Sequence, residues 1–82
     1  MSKLQHIRQM SGMTQEQAAD AVGISLGVWR HYEQGSRRFD GAGLPTILKT
    51  ALVFRCKLED MIESEETIEL LKEYGQTLGN AI

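Results

Sequence analysis

Residues Gln15–Gly35, QEQAADAVGISLGVWRHYEQG, decide the fold of this chain. Thr14 and Gln17 stand three apart, as an N-cap and its reciprocal partner do, so a helix is predicted to start at Gln15. Ala18 and Ala19 are small enough for a second helix to cross close by, and Val22 continues the same stripe. Gly23 then ends the helix where a left-handed residue is needed, a conformation that suits a residue without a Cβ. Ser25 caps a second helix, in which Trp29 and Tyr32, three apart, face the first. Two short helices locked around a glycine turn make a helix-turn-helix, and the outer face of the second stays free.

Working outward, Ser2 and Gln5 form a second S-x-x-Q capping pair, and Leu4, Ile7 and Arg8 keep helical spacing up to Gly12. Helices are expected at about 3–11, 15–22 and 26–33. Residues 35–43, GSRRFDGAG, hold three glycines without periodicity and read as a loop. Pro45 fits the first turn of a fourth helix with Ile47, Leu48, Ala51 and Phe54 inward. Residues 57–62, KLEDMI, read as a short fifth helix using Leu58, Met61 and Ile62. No stretch alternates as a strand does, so the chain is expected to be all-α.

The tail differs in kind. From Ser64 to Leu78 the apolar residues Ile68, Leu70, Leu71, Tyr74 and Leu78 lie between Glu65, Glu66, Glu69 and Glu73. Leu71, Tyr74 and Leu78 follow a three-four spacing, which gives a helix with one apolar stripe and an acidic back. Gly75 and Gly79 weaken its end. Such a helix either folds onto its own domain or meets a twin, and Leu52, pointing outward from the fourth helix, is placed to join that contact. The expected organisation is a domain over 1–62 and a helical extension over 63–82.

The chain has 82 residues and a net charge of −2, but the charge is divided. Lys3, Arg8, Arg30, Arg37, Arg38, Lys49, Arg55 and Lys57 face only Glu16, Asp20, Glu33 and Asp40, which leaves residues 1–57 at +4. Residues 58–82 stand at −6, with Lys72 against Glu59, Asp60, Glu63, Glu65, Glu66, Glu69 and Glu73. Only the first part suits a polyanion, with salt-sensitive and moderate affinity. The single cysteine, Cys56, has no disulfide partner and no companions for a metal site, and its apolar context VFRCKL reads as core. No signal core or membrane span is visible, so a reducing cytoplasm is the expected compartment. His6 and His31 form no motif, no paired carboxylates converge and no glycine-rich phosphate loop is present, so no enzyme, cofactor or metal is expected.

With these residues in place, the chain resembles the Cro and phage-repressor type helix-turn-helix family, also called the xenobiotic-response-element type. Ile7, Arg8, Thr14, Gln15, Ala19, Gly23, Ile24, Ser25, Trp29, Tyr32, Glu33 and Gly35 carry the likeness, which covers roughly residues 3–62. The resemblance implies a five-helix, lambda-repressor-like domain, here with the tail helix added. It implies that Arg8 and Glu33 form a largely buried ion pair. It places Thr14, Gln15, Gln34, Arg37 and Arg38 at phosphate-contacting positions, and Leu26, Gly27, Arg30 and His31 on the surface that reads bases in the major groove.

Two departures stand out. Leu26 and Gly27 occupy leading recognition positions that usually carry hydrogen-bonding side chains. Leu26 suits a thymine methyl and Gly27 a close backbone approach, so hydrogen-bonded readout falls to Arg30 and His31. Trp29 stands where Ile or Val is usual. The functional expectation is a sequence-specific transcriptional regulator, a repressor of bacterial, phage or mobile-element origin, binding a double-stranded DNA operator as a homodimer. The dimer candidates are Leu52, Leu71, Tyr74 and Leu78; no membrane and no small-molecule ligand is expected. The rival is a protein-interaction module on the same fold, of the anti-repressor or antitoxin kind, which Leu26, Gly27 and the overall acidity favour.

Overall fold

The computed structural model describes residues 1–80, so residues 81 and 82 of the expected 63–82 extension lie outside the described residues. Five α-helices follow in order: α1 Lys3–Met10, α2 Gln15–Val22, α3 Leu26–Gln34, α4 Leu44–Phe54 and α5 Glu65–Asn80. Two 3-10 turns intervene, Phe39–Gly41 and Leu58–Asp60, and there is no strand among the described residues. The fold is all-α, of the lambda-repressor-like kind.

The starts of α2 and α3 follow their local sequence closely. Gln17 N donates to Thr14 Oγ1 at 3.1 Å while Thr14 N donates to Gln17 Oε1 at 2.9 Å, a complete capping box. Val28 N donates to Ser25 Oγ at 3.2 Å. The turn between the helices rests on Gly23, whose φ of 85° is left-handed. At α1 only half of the expected box forms, with Gln5 N donating to Ser2 Oγ at 3.1 Å.

The core gathers on one side of these helices. Leu4, Ala18, Ala19, Val22, Trp29, Tyr32, Phe39, Ile47, Met61 and Ile62 are buried together. α2 packs on α3 and on α4, and α1 on α3. Ala18 and Ala19 of α2 and the large Trp29 ring of α3 are all essentially without exposure in this one core. Trp29 lies against Phe54 with ring centroids 6.0 Å apart, and Tyr32 meets Phe39 edge-on at 5.3 Å.

Three expectations need correction. The fifth helix expected over 57–62 is the 3-10 turn Leu58–Asp60, closed by Met61 N and Ile62 N donating to the Leu58 carbonyl and followed by irregular chain, although Met61 and Ile62 are buried as anticipated. A six-residue helix has little to offset its nucleation cost. Here Lys57 N donates to Asp60 Oδ2 at 3.0 Å, and Lys3 Nζ donates to the Ile62 carbonyl at 2.8 Å. Leu48 is 45% exposed instead of inward; with Leu44 and Leu52 it lies on the outer side of α4, while Thr50 is buried and bonds the Thr46 carbonyl. Cys56 is half-buried at the edge of the core, where burial and the nearby Asp60 charge push its thiol pKa up.

The tail stripe also splits. Ile68 and Leu71 turn in against the core, whereas Leu70, Tyr74 and Leu78 are exposed. The base of α5 is pinned by Asp40, whose carboxylate accepts from Glu63 N at 3.2 Å and from Ser64 N at 2.9 Å.

Candidate nucleic-acid interface

The foundation of the candidate surface is a buried carboxylate. Glu33, with its side chain 2% exposed, accepts from Arg8 Nε at 2.6 Å and from Arg8 Nη2 at 3.1 Å, a two-point contact that ties α1 to α3. Arg8 Nη1 also donates to the Met13 carbonyl at 2.9 Å, just before α2. Trp29 Nε1 donates to Glu33 as well, and Gln15 Nε2 adds a further bond at 3.2 Å. Burial alone raises the Glu33 carboxyl, but the hydrogen bonds from Arg8, Gln15 and Trp29 and the Arg8 charge outweigh it. The group is held below its ordinary value and ionised.

The outer surface is built over this base. Gln15, half-buried at the start of α2, uses its other amide atom as well: Arg30 Nε donates to Gln15 Oε1 at 3.2 Å. Thr14 is exposed beside it, its hydroxyl engaged in the capping box. Along α3, Gly27, Arg30 and His31 are exposed and Leu26 is half-buried. A Cβ added to Gly27 would meet nothing within 4 Å, so packing within the chain does not demand a glycine there.

After α3 the chain turns at Gly35, with φ 80°, into the segment that carries Arg37 and Arg38. Ser36 Oγ lies 2.7 Å from His31 Nδ1, so the loop is fastened to the exposed side of α3. Arg37 sits over the Tyr32 ring, its guanidinium carbon 6.0 Å from the centroid. Arg38 reaches Asp40 at 3.7 Å with its side chain 76% exposed, a weak pairing from which the guanidinium is free to swing. Gln34 is exposed.

The structure thus brings Gln15, Arg30, His31 and the 35–38 segment into one linked strip on α2, α3 and the following loop. Leu52, Tyr74 and Leu78 are exposed on α4 and α5, whereas Leu71 is taken up by its own core. Sequence reasoning missed Ser36 and Asp40. Neither has a periodic or spacing signal, since each acts through a loop conformation and Asp40 finds its partners 23 and 24 residues away. No three histidine, cysteine or acidic side chains gather as a metal site among the described residues, and none of the described helices is long and apolar enough to cross a membrane.

Two helices crossing tightly at a left-handed glycine, with a polar and basic outer strip, define the helix-turn-helix class. A family model described as a helix-turn-helix domain matches residues 2–49, from the cap of α1 into α4. The chain belongs to this family, of the Cro and xenobiotic-response-element type. The family is one of DNA-binding transcriptional regulators and is typically non-enzymatic. No curated protein and no solved structure matches the chain.

Proposed function

We propose that this protein is a sequence-specific repressor that occupies a double-stranded DNA operator, with α3 in the major groove. The observation that carries the reading is the strip from half-buried Gln15 through Arg30 and His31 to Arg37, in which Arg30, His31 and Arg37 are exposed over the packed α2–α3 pair. Residues 1–62 are the DNA-binding unit in this reading and 63–82 an extension. Arg30 and His31 read base edges, Leu26 meets a thymine methyl, and Gly27 lets the backbone come close. Thr14, Gln15, Gln34, Arg37 and Arg38 hold phosphates on either side, which sets register without reading sequence.

A single module of this size buries too little surface for high specificity, so the operator is taken to be two-part and the protein a homodimer. Leu52 at 76% exposure and Tyr74 at 64% are the apolar side chains offered for that contact.

Binding to duplexes selected from a random pool, with salt titration, tests the reading. Arg38→Ala is expected to weaken all duplexes alike and to reduce the salt slope by about one phosphate. Arg30→Ala is expected to flatten discrimination between duplexes instead. Absence of any selected duplex that binds at low salt would transfer support to the protein-interaction reading, for which half-buried, apolar Leu26 is the best ground.

A further inference from the structure

We infer that Gln15 is a positioning residue for base reading: it carries the fixed polarity of the buried Glu33 carboxylate out to Arg30. The inference rests on the reading that α3 faces DNA, and it assigns Gln15 a role in specificity beyond a phosphate contact.

The geometry leaves Gln15 one orientation. An ionised carboxylate only accepts, so the Gln15 amide must present Nε2 to Glu33 Oε1, at 3.2 Å. Its Oε1 then faces the other way, where Arg30 Nε donates at 3.2 Å. Reversing the amide would set oxygen against carboxylate and NH2 against guanidinium, two repulsive contacts in place of two hydrogen bonds. Glu33 itself cannot turn, because Arg8 holds both of its oxygens and Trp29 Nε1 a further lone pair.

The consequence falls on Arg30, which is exposed and would otherwise sample many rotamers. Anchoring Nε fixes the guanidinium plane and leaves both terminal nitrogens open, the fork that matches the two acceptors of a guanine edge. Ordering the side chain before contact removes part of the entropy cost of binding. One hydrogen of Gln15 Nε2 stays uncommitted, so a phosphate contact is compatible with this role.

The test compares wild type, Gln15→Met, which keeps the length and loses the amide, Arg30→Ala and the double variant. In the free protein, arginine Nε–H relaxation by NMR is expected to show Arg30 ordered in wild type and mobile in Gln15→Met, with Arg8 ordered in both. On a duplex selected from a random pool and its single-base-pair variants, Arg30→Ala is expected to lose about tenfold or more of discrimination at one base pair. Gln15→Met is expected to lose about fivefold at that same base pair, the worth of one hydrogen bond, and nothing further in the Arg30→Ala background. The inference is overturned if Gln15→Met weakens every duplex alike with discrimination intact and adds to Arg30→Ala. It is equally overturned by an Arg30 Nε–H that is as ordered in Gln15→Met as in wild type. A wild-type protein that binds no selected duplex would instead sink the proposed function, and the relaxation comparison would still decide whether Gln15 holds Arg30.

Discussion

Glu33 concentrates much of the structure's polar organisation in one side chain. Its carboxylate is buried among donors from α1, α2 and α3, so removing one strong donor strands a charge away from water. Arg8→Ala is therefore expected to cost about 3–5 kcal/mol, seen as a fall in melting temperature of roughly 15 °C or more. The same group sets an acid limit. Its folded-state pKa is depressed, so its contribution is fully present above the unfolded value of about 4.3 and is lost as pH falls through the folded value. Urea midpoints measured from about pH 5 down to about pH 3 should fall, and Glu33→Gln, less stable at neutrality, should show a shallower dependence. Of this arrangement, only the positions of Arg8 and Glu33 were legible beforehand, through family likeness. The Trp29 and Gln15 donors were not: Trp29 stands one turn before Glu33 on α3, but which way its ring nitrogen points, and that Gln15 reaches Glu33 from α2, are side-chain directions that spacing does not encode.

At the scale of elements, legibility tracked how local the determining interactions are. α2 and α3 begin at the expected residues because Thr14–Gln17 and Ser25–Val28 bonds lie within one turn. The segment after α4 was misread because its form depends on Lys3, more than fifty residues earlier, reaching the Glu59 and Ile62 carbonyls. α5 was expected as a helix from its stripe, but which side chains turn inward depends on how Asp40 seats its first residues. Asp40 ties the 35–43 loop to the chain just before α5, by accepting from the Glu63 and Ser64 amides. Asp40→Ala is expected to cost about 1–2 kcal/mol, with faster hydrogen exchange confined to the first turns of α5. Unchanged exchange there would mean that Asp40 does not seat the helix.

For the whole molecule, the open question of the tail resolves into two faces. Ile68 and Leu71 close the core, and Leu70, Tyr74 and Leu78 remain outside it, in the same chain as the uncovered Leu44, Leu48 and Leu52 of α4. If these exposed side chains serve the proposed dimer, Leu52→Glu with Tyr74→Glu should leave the melting temperature nearly unchanged, since neither side chain is in the core. Sedimentation should then report a monomer, and affinity for a two-part operator should fall by about a hundredfold or more. A double variant that sediments and binds as wild type does would remove both residues from the interface.

The division of charge has a consequence for arrival as well as for attachment. Arg30, Arg37 and Arg38 are on α3 and the following loop, whereas Glu65, Glu66, Glu69 and Glu73 are on α5. Separated charge of this kind gives the protein an electric dipole, and a dipole near a polyanion feels a torque besides a pull. Within about 8 Å, the screening length at physiological salt, the arginines are attracted and the α5 carboxylates repelled, so the field favours approaches that bring the arginines nearest the polyanion. Salt therefore acts on the landing itself: raising it lets more encounters begin in the wrong orientation, and the association rate falls before any contact in the bound complex is lost.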